Sequence, residues 1–422
     1  MSNQPIDILV LNAGSSSFKS SVYRLTNEDL PLEPVAPLWT GKISWNTAKT
    51  AVLKAKTTAE SVSIDRSGTS RAEDIQELLS WIWSGKTQIV RDIHEIDIVG
   101  HRVVHGGSKY RQPTFIDDDV KAEIDRLSMY APLHNPANLM GINAIDLSGA
   151  HDSAAHLTQI AVFDTAFFQN LPEVAYVYPL PYEWLERGIR KYGFHGISHQ
   201  YCTQRAAKLL GQPALIRAIS CHLGNGCSLA AVKSGRCIGT TMGFTPLDGL
   251  MMGTRCGSID PGIVLHLLRE GEYTVTELDR ILNFESGLLG VSGVSNDMRE
   301  IEKSIASGHV RSRLALDIYI DRLAAKIASL IPALGGLDTL IFTGGVGENN
   351  CGIRAAVAAK LAFLGIEIDP ALNEIAISAN GASSDLDRDL ATTGSPIRVL
   401  TIHTQEEWEI AQSCWQYLHA SH

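Results

Sequence analysis

A chain of 422 residues is longer than a single core usually grows, so two domains are expected. Hydrophobic content of 45% with 19% charged residues is that of a globular chain and excludes a disordered or low-complexity one. The formal net charge of -10, with no basic block, argues against a nucleic-acid partner, so any anionic substrate must be met by Arg, His and Lys gathered locally. Seven cysteines, odd in number and without a Cys-x-x-Cys pair, predict neither a disulfide framework nor a thiolate zinc site and fit a reducing cytoplasm. Met1 to Asp7 lack the basic and apolar regions of a signal peptide. The apolar stretch from Leu323 to Leu337 is cut by Lys326, Pro332 and Gly335, so no membrane span is expected.

In chain order, the first element is a β-rich run that enters a polar turn and leaves in another, Ile8 to Tyr23, with Asn12, Gly14 and the hydroxyls of Ser15, Ser16 and Ser17 in the turn. Residues 27 to 70 read as peripheral strands and loops, Ser61 to Ile64 among them. Ile75, Leu78, Leu79 and Ile82 recur at helical spacing over Arg71 to Trp83, with Gly85 as the stop. Gly85-Lys86-Thr87 is not a phosphate loop, because Ser80 stands where that motif needs glycine and a helix rather than a strand precedes it. A strand at Ile96 to Val99 leads into a Gly- and His-rich stretch through Gly107, and a helix spans Asp117 to Tyr130. A proline-bounded loop, Ala131 to Pro136, precedes a buried strand from Gln159 to Phe163. That strand ends at Asp164, where α/β sheets place chemistry.

The second half repeats the first. A second hairpin, Ala218 to Val232, carries Asn225 and Ser228 between Gly224 and Gly226 or just after them. A Gly-rich segment from Thr241 to Pro261, long helices from Arg311, and a strand Thr339 to Phe342 follow. The strand enters a glycine loop, Thr343 to Asn350, and a helix begins near Ile353. The recurrence predicts a duplicated α/β architecture.

Either hairpin alone reads more readily as an ordinary turn. Both together suit phosphate: Gly14, Gly224 and Gly226 allow close approach and positive φ, and loop N–H and hydroxyl groups supply donors. Arg102 and Arg255 lie in Gly-rich, irregular contexts where a guanidinium can fork onto phosphate or carboxylate oxygens, although a surface ion pair is the plainer reading of a lone loop arginine. His195 and His199 have the spacing of a helical zinc pair. Gly193 and Gly196 make a poor helix there, and no third ligand is evident, so a loop histidine donating to a phosphoryl or acyl oxygen, or a structural one, reads better. His222 carries the same two readings. Asp164 and Glu406, the latter just before a terminal helix, suit either Mg²⁺ or a helix cap.

Taken together, Leu11 to Lys19, His101 to Gly107, Pro132 to Pro136, Phe163 to Phe167, Tyr192 to His199, Cys221 to Gly226, Met242 to Gly249, Met252 to Gly257 and Thr343 to Asn349 resemble the acetate kinase family, in family order over nearly the whole chain. Residues 27 to 90 match least. The resemblance implies the fold shared by acetate and sugar kinases, the heat-shock chaperone ATPase and actin: duplicated actin-like, ribonuclease H-like α/β domains with the active site in the interdomain cleft. Residues 1–163 with 407–422 would form the N-terminal domain, the last helix returning to it, and 164–406 the nucleotide-binding domain. The implied reaction is reversible, direct in-line transfer from ATP to acetate, giving ADP and acetyl phosphate, with Mg²⁺ or in its place Mn²⁺. The implied protein is a cytoplasmic homodimer with neither nucleic acid nor membrane as partner.

Carried over by matching positions, Asn12 and Glu406 would hold the metal, and Lys19 would lie near substrate and nucleotide. Arg102 would bind acetate or the acyl phosphate, Asp164 would be the catalytic acid residue, and His195 and Arg255 would stabilise the transferred phosphoryl group. Val104, Leu133, Phe194 and Pro246 would line the methyl pocket, with His134 in support. His222, Leu223, Gly224, Asn225 and Gly226 would cradle the phosphates. Asp297, Met298 and Arg299, with Gly345, Val346, Gly347, Glu348 and Asn349, would surround the adenosine. Gln405 departs from the asparagine common in the family. Three alternatives stand beside this reading: a propionate kinase, a non-kinase actin-like ATPase, and a metal-dependent hydrolase using His195 and His199.

Overall fold

Strand runs broken by polar turns dictate hairpins, and the computed structural model, which describes residues 5–14, 17–26, 28–46, 50–132, 134–149, 157–212, 217–374 and 387–420, contains both. Ser15, Ser16 and Leu133 lie outside the described residues. The chain divides into two compact units, Met1–Ala166 with Gln405–His422, and Phe167–Thr404. These divisions fall three residues after and two before the expected ones, and carry Asp164 and Glu406 into unit 1. The Asp164 N–H still bonds Val103 O, and Asn12 bonds Glu406.

Unit 1 holds β1 (Ile6–Ala13), β2 (Ser17–Leu25), β3 (Trp39–Trp45), β4 (Thr50–Thr57), β5 (Ser61–Ser67), β6 (Ile98–Val103), β7 (Thr114–Phe115) and β8 (Thr158–Phe163), in the order β5-β4-β3-β2-β1-β6-β8-β7. β1 is buried along its whole length because helices Asn135–Gly149 and Glu406–Ala420 both pack on it, which is why its middle, Ile8 to Leu11, reads as an apolar run. β3 alternates instead: Trp39, Gly41 and Ile43 are buried while Lys42 is exposed, the period of a sheet with one solvated face. Under the buried face, Ile75, Leu78 and Leu79 of helix Arg71–Ser80 join Trp39, Ile43 and Leu53 in one core. Ser70 and Glu73 close that helix's N-terminus as a capping box.

Unit 2 holds β9 (Arg217–Leu223), β10 (Cys227–Lys233), β11 (Arg236–Thr240), β12 (Thr339–Thr343), β13 (Arg388–Asp389) and β14 (Arg398–Thr401), in the order β11-β10-β9-β12-β14-β13. The five strands β3-β2-β1-β6-β8 and β11-β10-β9-β12-β14 share one plan. An antiparallel meander gives the first three, and the first strand then takes a parallel neighbour, which takes another. The duplication expected from the hairpins therefore extends to five strands of each sheet.

The closing helices are exchanged. Helix Gly196–Leu209 follows β8 in sequence but packs on β9 and β12, whereas helix Glu406–Ala420 follows β14 and packs on β1 and β6. The second approach is close: a Cβ on Gly100 of β6 would sit 2.5 Å from Cys414 Sγ and 2.7 Å from Ile410 Cγ2.

Four local expectations change. The strand expected at Ile96 to Val99 runs Ile98–Val103, pairing with β1 and β8, so Arg102 lies on a strand rather than in an irregular loop. The helix from Asp117 stops at Arg126 and tightens into a 3₁₀ turn, Leu127–Met129. Gly344–Asn349 is helical rather than a loop, because the Glu348 carboxylate turns back to accept from Gly344 N at 2.8 Å. A helix also starts at Gly196 despite the neighbouring glycines, with His195 in left-handed backbone at its N-cap. Among the described residues no helix is long and apolar enough to cross a membrane.

Candidate active site

In unit 1 the hairpin register places Asn12 opposite Lys19, and the parallel register brings β6 and β8 alongside, so five of the expected groups meet at one edge. Arg102 gives Nε and Nη2 to the same oxygen of Asp164 at 2.9 and 2.6 Å, and Nη1 to Asn12 Oδ1 at 3.0 Å. Asn12 Nδ2 in turn donates to Glu407 Oε1 at 3.0 Å and Glu406 Oε2 at 3.3 Å. Lys19 Nζ lies 3.5 Å from Glu407. Asp164 is fully buried and the Arg102 side chain 13% exposed. Burial opposes the Arg102 charge, but Asp164 and Glu406 outweigh it and hold the guanidinium pKa above its ordinary value. Glu407 acts first on Lys19, and the ammonium pKa is raised.

Two asparagines brace this edge. Asn138 accepts from Val104 N at 3.0 Å and donates to Ala13 O at 2.8 Å, tying the ends of β6 and β1 together. Asn135 bonds both backbone groups of His105 and the carbonyl of Ile124. Val104 is consequently buried and fixed, and His134, half-buried, is held by its N–H to Ala131 O at 3.0 Å. Neither asparagine nor Glu407 was expected at the site. The signals were present as Asn135-Pro136-Ala137-Asn138 after a proline loop and the doublet Glu406-Glu407, but nothing in the spacing joins them to Asn12.

In unit 2 His195 stacks on His222 with ring centroids 4.3 Å apart and 18° between planes. His222 Nδ1 shares a 2.8 Å hydrogen bond with Ser198 Oγ, which also meets Thr404 Oγ1 at 2.8 Å. His199 takes no part. It is fully buried, its ring nitrogens lie 2.9 and 3.1 Å from Ser220 and Ser228 Oγ, and burial pushes its pKa well down, so it is a neutral structural residue and not half of a zinc pair.

Arg255 is half-buried, and desolvation lowers its pKa. Its guanidinium reaches Pro246 O at 3.4 Å and Met252 Sδ at 3.8 Å, and among the described residues no carboxylate pairs with it. Gly226 is not at positive φ, and neither are Gly14 or Gly224, contrary to expectation. What crowds a side chain at Gly226 is proximity: its Cβ would stand 3.2 Å from His195 Nε2 and 3.3 Å from Arg255 Nη1. Phe194 is buried beside them, its carbonyl accepting from Ser228 Oγ at 3.4 Å.

The other expected residues of unit 2 gather around the same turn. Asn225 accepts from Gly253 N through its backbone and from Asn296 Nδ2 through its side chain, each at 3.1 Å. Next to Asn296, Asp297 caps helix Met298–Ala306 and pairs with the exposed Arg299, while Met298 is buried. Fully buried Leu223 packs against Gly347, leaving Gly345 and Asn349 exposed and Val346 half-buried. Glu348 points inward. It accepts from His403 at 2.6 Å and from Thr404 N at 3.1 Å, and these donors outweigh burial to lower its pKa.

The Acetokinase family model matches residues 7–412. An acetate kinase of Gloeobacter violaceus is 55% identical over 97% of this chain and 99% of its own length, and one of a Cyanothece species 52% identical over 97% and 98%. Among solved structures, Porphyromonas gingivalis acetate kinase superposes with a TM-score of 0.84 at 37% identity, covering 98% of this chain and all of the other. A propionate kinase of Francisella tularensis superposes equally, with a TM-score of 0.84 at 37% identity over 97% and 99%. With a family match along nearly its whole length and relatives above 50% identity, the chain belongs to the acetokinase family.

Proposed function

We propose that this chain is an acetate kinase, transferring the γ-phosphoryl group of ATP to acetate and back from acetyl phosphate to ADP. The observation that carries the catalytic reading is Arg255, a half-buried cation that no described carboxylate neutralises, with its guanidinium and the His195 ring both close against Gly226. Such a site is stable without an anion only at a cost and is suited to a phosphoryl group whose charge spreads over its equatorial oxygens. In unit 2, His222 to Gly226 hold the nucleotide phosphates, and Asp297 to Arg299 with Gly345 to Asn349 flank the adenosine. Gly345 and Asn349 do so by contact, and Glu348 by fixing the turn.

In unit 1 Arg102 holds the acyl carboxylate, with Val104 beside it for the methyl group and His134 in support; Phe194 and Pro246, also expected for the methyl group, belong to unit 2. Acetate is already ionised at neutral pH, so no general base is required. Asp164, with one oxygen accepting two guanidinium N–H groups, orients Arg102 rather than removing a proton. Glu406, Glu407 and Asn12 present hard oxygen donors within one hydrogen-bonded group, a donor set that fits Mg²⁺. When bound, Mg²⁺ supplies charge neutralisation for the phosphates. Lys19 adds a cation beside these carboxylates.

The propionate-kinase reading is favoured by the equal superposition on the Francisella tularensis enzyme. One methylene in an apolar pocket changes specificity by about 1–3 kcal/mol, so the two activities are expected to differ in degree. Comparing kcat/KM for acetate, propionate and butyrate with hydroxylamine trapping decides it: acetate is expected first, propionate roughly 10–200-fold behind. Propionate ahead of acetate would make the chain a propionate kinase.

A homodimer in the cytoplasm completes the proposal. Seven free cysteines support a reducing compartment. Ile263, Leu265, Val275 and Phe284, on helices Pro261–Glu270 and Val275–Phe284, are 43 to 72% exposed and supply an apolar surface for a second copy. Sedimentation equilibrium is expected to return about twice 45.8 kDa, and the mass of a single chain would refute the dimer.

A further inference from the structure

The outer face of β2–β5 concentrates positive charge in a chain whose net charge is -10. Strand register puts Lys19, Lys42 and Lys54 directly opposite one another across β2, β3 and β4, with Ser63 next on β5. The adjacent row on the same face is Ser21, Thr40, Lys56 and Ser61. All four lysines are exposed. Like charges opposite each other weaken a sheet, and with strands about 4.8 Å apart the Lys19-Lys42-Lys54 row spans roughly 10 Å. The face is also concave. These two rows, with Gly41, Ala55 and Val62 in the floor, line a trough of about 580 Å³, within the size range of small-ligand sites. Its single carboxylate, Glu407, is already engaged by Lys19 and Asn12.

We infer that this trough is a second anion site, distinct from the reaction centre, which takes an extended oligophosphate chain. Three cations in a row along the strand-pairing direction suit a linear polyanion better than a single compact one. The hydroxyls of Ser21, Thr40, Ser61 and Ser63 supply further donors for phosphate oxygens. The site touches the reaction centre through two residues, Lys19 and Glu407. An anion that draws Lys19 away leaves Glu407 less neutralised beside Asn12 and Glu406, so occupancy is expected to change the affinity of that edge for cations.

The test is calorimetric titration of inorganic tripolyphosphate into the full-length protein at low ionic strength, with ADP saturating the nucleotide site. Wild type is expected to bind it stoichiometrically and more tightly than orthophosphate. The Lys42→Thr/Lys54→Thr/Lys56→Thr variant, which spares Lys19, is expected to bind about tenfold or more weakly, because three exposed charge contacts are lost. A parallel titration with a non-hydrolysable ATP analogue identifies the source: a second equivalent, lost in the variant, assigns the chain to a nucleotide tail, and one equivalent in both assigns it to inorganic oligophosphate. Lys42→Thr alone relieves the opposed charges and is expected to raise the melting temperature of the free protein while reducing the further rise that tripolyphosphate gives wild type. Absence of tripolyphosphate binding by wild type, or equal affinity in wild type and triple variant, overturns the proposal. Equal tripolyphosphate-induced melting shifts in wild type and Lys42→Thr overturn it too.

Discussion

Arg255→Ala is expected to lower kcat by about 10³–10⁵-fold, the range for removing a cation that meets a phosphoryl group only in transit. Stability is expected to move little or to rise. Desolvation already opposes the Arg255 charge, and no described carboxylate would be left behind by its removal. This asymmetry separates a catalytic cation from a structural one. A structural arginine lost from a buried ion pair unfolds the protein, whereas this one should vanish from the rate while the thermal melt stays in place. Lysine should restore only part of the rate, because a point charge cannot fork onto two oxygens. Near-normal kcat in the alanine variant would remove Arg255 from the mechanism.

For Arg102 both quantities should fall together. Arg102→Ala leaves the Asp164 carboxylate fully buried with its two guanidinium donors gone, and breaking a buried pair in this way costs about 3–5 kcal/mol. Urea unfolding would read that loss as a lower midpoint at unchanged slope. Adding Asp164→Asn removes the stranded charge, so the double variant is expected to regain much of the stability. It should regain none of the acyl phosphate formation, because the carboxylate anchor for acetate is still absent. If activity returned along with stability, Arg102 would be no more than a structural partner of Asp164.

The architecture was legible wherever a local pattern carries it. The two hairpins announced two sheets, Gln159 to Phe163 and Thr339 to Phe342 read as strands, and the family segments run in order through both units. Boundaries failed where a distant neighbour decides them. Arg102 looked like a loop residue because its glycine-rich surroundings conceal that Gly100 exists to admit Cys414, more than three hundred residues away. Helix Gly344–Asn349 was read as a loop because its stabilising acceptor, the Glu348 carboxylate, sits at its far end. In the site, Asn12, Arg102, Asp164, His195 and Arg255 could be named from motifs. Glu407, Asn135, Asn138 and Ser198 could not, since each acts through a hydrogen bond that only the fold creates. His199 shows the converse: its spacing from His195 suggested shared chemistry, and two serine hydroxyls claim both its nitrogens.

The exchange of closing helices sets an order of events on the ribosome. Unit 2 is one continuous stretch of chain, and the helix that covers β9 is made before β9 itself, so this unit has all its parts once Thr404 has emerged. Unit 1 starts first and finishes last. β1 and β6 are synthesised within the first quarter of the chain, yet the helix that covers them is the final element, and at about 5–20 residues per second they wait tens of seconds for it. Until then an apolar face of that sheet stays uncovered, and the edge that meets Asn12 lacks Glu406 and Glu407. Acid groups of the reaction centre and the last piece of the first-made core therefore arrive in the same turn of helix, so a chain that stops short of its end is left without both.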